Sequence, residues 1–157
     1  MTTVVATRTA IYTDSQATSN INFYTTKAHR ITTLNGATYL VGMCGVLEAC
    51  YAVLEVVKEF GPFDAWKAEK KPEILKNLDG DSCELVLVSE NKELYLLSPN
   101  LIPLPCNAPI HAIGSGAQWA IAAIDHGKTP KEAVEYACVR DDASKPPVQT
   151  LTFKTRL

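Results

Sequence analysis

Thr2-Thr-Val-Val-Ala-Thr7 and Ala10-Ile-Tyr-Thr-Asp14, separated only by Arg8-Thr9, decide how the chain begins to fold. Both segments are rich in β-branched and aromatic residues, which suit a pleated surface, so they read as two antiparallel strands joined by a tight turn. Arg8-Thr9 has neither the Gly nor the Asn that two-residue hairpin turns favour, which leaves the turn type open. Asn20 to Leu34 continues as an extended ribbon carrying Lys27. Thr38 to Cys44 (TYLVGMC) is a nearly unbroken apolar run, expected as a buried strand that leads into Gly45.

Beyond Gly45 the apolar period changes. Val46, Cys50, Val53, Leu54 and Val57 share one helical face with Glu48, Glu55, Lys58 and Glu59 opposite, which predicts a helix over 46–60 stopped by Gly61-Pro62. Asp64 to Asn77 reads as a weaker, proline-interrupted helical stretch, and Leu78-Asp79-Gly80-Asp81 as a turn into strands over 83–89 and 93–97. The four prolines of 98–109 predict a loop. Ile110 to Gly114 is expected as a short strand feeding Ser115-Gly116 and a small-residue helix over 117–125. Thr129-Pro130-Lys131-Glu132 offers an N-cap, a proline at the first helical position and the Glu of a capping box for a second helix to Arg140. Val148 to Phe153 then closes a sheet. This order gives an α+β chain, without repeats or linker, whose helices cover two stacked sheets.

The 157 residues, 46% hydrophobic and 20% charged, suffice for one domain with a substantial core and leave little for a second. Fifteen basic and 17 acidic residues give a net charge of -2 without a dense basic block, so nucleic acid and anionic membrane find no electrostatic foothold. The five cysteines, Cys44, Cys50, Cys83, Cys106 and Cys138, form no C-x-x-C pair and are expected as reduced, mostly buried thiols. With three histidines and no H-E-x-x-H pattern, a zinc site has no basis in the sequence. Gly114-Ser-Gly116 lacks the third glycine and the lysine of a phosphate cradle. No basic start followed by an apolar run opens the chain, so no secretory signal or membrane helix is expected and the cytoplasm is the default compartment.

Met1-Thr-Thr-Val-Val5, Asp14-Ser-Gln-Ala-Thr18 and Lys27-Ala-His-Arg-Ile31 resemble the opening of the HslV-type bacterial proteasome-like proteases. Ile113-Gly-Ser-Gly-Ala117 and Arg140-Asp-Asp-Ala-Ser144 extend the resemblance to the proteasome β-subunit family, in that family's order and over nearly the whole chain. It implies a four-layer αββα sandwich of the N-terminal nucleophile hydrolase class, one domain over 1–157, with Met1 removed on maturation. It also implies a threonine-type endopeptidase that requires no cofactor for the peptide-bond chemistry. Such a chain would assemble with its own copies into stacked rings, with a ring-shaped ATPase unfolding its polypeptide substrates.

On this resemblance Thr2 is the nucleophile and its own α-amine the base, which suits an amine whose ordinary pKa is about 7.7–8.0. Lys27 would set a cation beside the Thr2 hydroxyl and Asp14 would fix Lys27, so that removing either charge strands the other. Without the resemblance the same pair reads as a surface salt bridge worth about 0–1 kcal/mol. Ser115, Asp141 and Ser144 would hold the Thr2 amine and relay its proton, although Ser115 is equally placed to cap the helix at Ala117. The oxyanion donor is expected at the backbone N–H of Gly45, with Cys44 as the neighbouring choice, near a helix N-terminus that favours negative charge. Three departures bear on activity. The hairpin from Thr2 to Asp14 is shorter than the family's, and Lys145-Pro-Pro147 stands where many subunits carry glycines. While Met1 is attached, the Thr2 nitrogen is a non-basic amide, and a chain that keeps Met1 would be a non-catalytic assembly or interaction protein.

Overall fold

A computed structural model describes residues 2–18, 22–68, 75 and 83–154. The opening hairpin consists of β1 (Val4–Thr7) and β2 (Ala10–Thr13), antiparallel with Val5 opposite Tyr12. Its turn works without Gly or Asn because the Thr7 hydroxyl accepts the N–H groups of Thr9 at 3.3 Å and Ala10 at 3.1 Å, a side chain standing in for a backbone carbonyl. Arg8 at the turn donates to the carbonyls of Lys92, Cys106 and Ala108, which ties the hairpin tip to segments about a hundred residues further along the chain.

Beyond the hairpin come β3 (Gln16–Thr18), β4 (Asn22–Tyr24), β5 (Ala28–Thr32), β6 (Thr38–Gly45), β7 (Cys83–Ser89), β8 (Leu94–Leu97), β9 (Leu104–Cys106), β10 (Ile110–Ile113) and β11 (Gln149–Thr152). They form a four-stranded sheet in the order β10-β1-β2-β11, a five-stranded sheet in the order β5-β6-β7-β8-β9, and the separate pair β3-β4. The helices are α1 (Leu47–Phe60), α2 (Ala117–Asp125) and α3 (Pro130–Arg140).

Three apolar clusters define the layers. Val4, Ala6 and Ile11 of the first sheet meet Leu40, Val86 and Val88 of the second, filling the space between them. The other face of the five-stranded sheet, through Val41, Met43, Leu85 and Leu87, packs on Cys50, Val53, Leu54 and Val57 of α1. Val5 on the outer face of the first sheet packs on Ala120, Ala133, Val134 and Ala137 of α2 and α3. Alternation along each strand feeds both of its faces, and the result is an αββα sandwich. The two sheets approach so closely at Gly42 that a Cβ there would lie 2.6 Å from Val4 Cγ1.

The capping box at Thr129 is present: its hydroxyl accepts Glu132 N–H at 3.2 Å, and Glu132 accepts Thr129 N–H at 3.1 Å. Two expectations change. The 98–109 loop contains β9, and Pro105 is tolerated opposite Tyr95 because β9 is an outermost strand that needs donors on one side only. The 20–34 ribbon divides, β4 pairing with β3 while β5 joins the large sheet. Of the weak helix over 64–77, the described part is a single 3-10 turn, Ala65–Lys67, and a helical Leu75. The rest of that stretch and the Leu78-Asp81 turn lie outside the described residues, as does Met1.

Candidate active site

The β1-β2 hairpin brings Thr2, Thr3 and Asp14 to one end of the sandwich. Asp14 N–H donates to Thr3 C=O at 3.1 Å, and Asp14 Oδ1 accepts Thr3 N–H at 3.0 Å, so the two strand ends are bonded in both directions. The same Oδ1 accepts Lys27 Nζ at 2.9 Å. The Lys27 ammonium and the N–H of the peptide that joins Thr2 to Thr3 therefore share one carboxylate oxygen. Lys27 itself is held to β6 by Met43 N–H on its carbonyl at 3.0 Å.

Asp14 is 0% and Lys27 1% exposed, which overturns the reading of a surface salt bridge. Burial pulls the Lys27 ammonium below the ordinary lysine pKa, and the attraction of Asp14 opposes that pull. Asp14 does not depend on Lys27 alone, contrary to the expectation that losing the lysine strands it. Asp14 Oδ2 also accepts the N–H groups of Gln16 and Lys145, each at 3.1 Å, so three backbone donors, with Thr3, support the carboxylate besides Lys27.

Asp141, Ser115 and Ser144 form a second group. Ser115 Oγ donates to Asp141 Oδ2 at 2.6 Å, Ser144 Oγ donates to the same oxygen at 2.7 Å, and Ala143 N–H reaches Oδ1 at 3.3 Å. Burial acts to raise the Asp141 pKa, but the bonds from Ser115, Ser144 and Ala143 outweigh it and hold the carboxyl below its usual value. Ser115 is not the cap of α2: Gly116 occupies that position and no side chain caps it. Asp141 ends α3 with extended backbone, an unfavourable place for a carboxylate at a helix C-terminus, and the two serine hydroxyls supply the compensation.

This second group is bonded to the first strand through Thr3, whose Oγ1 lies 2.7 Å from Ser144 Oγ. Thr3 is thus shared, by its N–H with Asp14 and by its hydroxyl with Ser144. The Gly-Ser-Gly turn explains itself here. A Cβ at Gly114, where φ is +97°, would lie 2.0 Å from Thr2 O, and one at Gly116 would lie 1.9 Å from Thr3 Oγ1. Gly116 N–H donates to Thr2 C=O at 3.3 Å. The glycines admit the first strand while the serine between them turns to Asp141. Sequence reasoning missed Thr3, Gly116 and the Lys145 N–H; for Thr3 and Gly116 the available signal was their place beside matched residues.

Gly45 ends β6 opposite Cys83 and, with Gly114, lines an open cavity of about 600 Å³. Helix α1 begins two residues later behind Val46, so its positive end faces this region. Cys44 is buried, and burial first, then the Glu84 carboxylate, push its thiol up to about 12, which leaves it inert as a nucleophile. Among the described residues no group of three or more His, Cys, Asp or Glu could hold a metal ion, and no helix is long and apolar enough to cross a membrane.

No protein-family model matches the sequence, and no curated protein matches it. Solved structures do. A eukaryotic HslV from Trypanosoma brucei superposes with a TM-score of 0.65 at 19% identity, covering 96% of this chain and 99% of that one. Anbu from Pseudomonas aeruginosa, solved as a helical assembly, gives 0.68 at 13% identity over 96% of this chain and 80% of that one. Thiobacillus denitrificans BPH in complex with epoxomicin gives 0.59 at 16% identity over 96% of each. At such identities the likeness is one of fold.

Proposed function

We propose that this chain, built on the proteasome and HslV type of N-terminal nucleophile fold, is a threonine-type endopeptidase with Thr2 as its nucleophile. The observation that carries the reading is the buried Asp14–Lys27 pair, bonded through Asp14 to the Thr3 N–H, with the Ser115, Asp141 and Ser144 group bonded to Thr3 through Ser144. A buried cation costs desolvation, and a cation beside a hydroxyl that must become an alkoxide is a use for it. Once Met1 is removed, the Thr2 amine takes the hydroxyl proton as Oγ1 attacks a substrate carbonyl. The negative oxygen that results is received by the Gly45 N–H at the positive end of α1. The amine then protonates the departing amine, and water hydrolyses the acyl ester to restore Thr2. Every step uses groups of the chain and water, so no cofactor enters.

Intact-mass spectrometry of the native protein, followed by exposure to a peptide epoxyketone, tests the proposal. Loss of one methionine and a covalent adduct on Thr2 are expected, with both adduct and peptidase turnover absent in Thr2→Ala. Full retention of Met1 in the native host, or unchanged turnover in Thr2→Ala, would reject it; Met1 retention would leave a non-catalytic assembly protein of this fold. Self-assembly belongs to the same proposal, in stacked rings served by an ATPase unfoldase in the cytoplasm. Electron microscopy of the purified protein distinguishes rings from the helical arrangement reported for the Anbu neighbour. ATP-dependent degradation of a folded substrate with the host's unfoldase tests the partner.

A further inference from the structure

The cavity beside Gly45 and Gly114 has a chemistry that the peptidase reading leaves unused. It opens between the two sheets at the end where Thr2 sits: Gly45 and Glu84 belong to one sheet's strands, and Gly114 follows β10 of the other. Glu84 pairs with Cys44, one step from Gly45. It alternates in phase with Val86 and Val88, which pack between the sheets, whereas Leu85 and Leu87 turn to α1. Glu84 therefore ends the inter-sheet stripe. Leu96, Leu97, Ile102 and Leu104 make the apolar wall, and Glu84 is the only charged side chain among the described lining residues. Its carboxylate makes no hydrogen bond or ion pair among them.

We infer that this cavity receives a lysine or arginine side chain of the polypeptide substrate, at one fixed position near the scissile bond, with Glu84 as the specificity-determining residue. The inference rests on the endopeptidase reading, which places the scissile carbonyl at Gly45. An aliphatic stem with a terminal cation fits both parts of the cavity, the stem against the leucine and isoleucine wall and the cation on the carboxylate. A purely apolar side chain would cover Glu84 without pairing it, and an acidic one would be repelled. A site built to bond a polar group discriminates strongly against ligands that lack one.

The test is digestion of a proteome-derived peptide mixture by the Met1-free protein, with cleavage sites mapped by mass spectrometry and Thr2 labelling by an epoxyketone run in parallel. Lys and Arg should be enriched at one position by about tenfold over Leu and Met. Glu84→Gln should abolish that enrichment, and Glu84→Lys should shift it toward Asp and Glu, with circular dichroism showing both variants folded. Cleavage with Thr2 labelled but without positional charge preference, or a preference unchanged in Glu84→Gln, overturns this inference and leaves the peptidase standing. Absence of both cleavage and labelling overturns the peptidase reading and this inference with it.

Discussion

Replacing Asp14 by alanine should destabilise the protein more than replacing its partner Lys27 by methionine, although each change breaks the same ion pair. Breaking a buried pair by removing one member costs about 3–5 kcal/mol. In Lys27→Met the Asp14 carboxylate loses the ion pair but keeps the N–H groups of Thr3, Gln16 and Lys145. Asp14→Ala breaks the pair and also takes the acceptor from the two buried donors, Thr3 and Gln16 N–H, at about 1–3 kcal/mol each, and from the part-buried Lys145 N–H. The two buried donors alone make the difference at least about 2 kcal/mol, against a total stability of about 5–15 kcal/mol. With a urea slope of about 2 kcal/mol/M, the two midpoints should stand at least about 1 M apart. The assay is urea unfolding followed by far-UV circular dichroism at one fixed protomer concentration, since association adds a concentration-dependent stabilisation. A Lys27→Met midpoint equal to or below that of Asp14→Ala would refute the reasoning and mean that the lysine, not the backbone donors, holds the carboxylate.

Gly114→Ala should cost more than about 3 kcal/mol in the same assay, since its Cβ meets the Thr2 carbonyl and its backbone is left-handed. Gly116→Ala should cost about 1–3 kcal/mol, and Thr3→Ala in the same chain should return part of it, because Thr3 Oγ1 is the atom struck; equal costs with and without Thr3→Ala would contradict the contact. Asp141 has a folded pKa below the ordinary carboxylate value, so the folded state holds fewer protons than the unfolded one as pH falls. Its contribution is complete above the unfolded value of about 3.9 and is lost as pH drops through the lower folded value. Urea midpoints measured from about pH 5 to about pH 3 should therefore fall less steeply in Asp141→Asn.

The strands and helices whose pattern is local were legible in the sequence. TTVVAT and AIYTD are rich in β-branched and aromatic residues, 46–60 repeats at helical spacing, and Thr129 to Glu132 spells its own cap. β9 was hidden because Pro105 argues against a strand unless the strand is known to lie at an edge, and that depends on where β8 ends in space. The site divides in the same way. Asp14, Lys27, Ser115, Asp141 and Ser144 were reached through short spaced motifs. That three backbone donors would support Asp14, or that the serine and aspartate group would end on Thr3, depends on contacts across more than a hundred residues, such as Lys145 N–H on Asp14. A backbone N–H leaves no mark on residue identity.

The row of hydroxyls also has a sense of direction. Each hydroxyl owns one proton, and Ser115 and Ser144 both give theirs to Asp141 Oδ2. At the contact between Thr3 and Ser144, Ser144 can then only receive, so Thr3 must give. The polarity of the whole row is thereby set by the charge on Asp141. Protonate that carboxyl and the pull on Ser144 weakens, freeing its proton to turn toward Thr3 and reverse the bond. Whether Asp141 is charged is thus recorded in which way a hydroxyl on the first strand points.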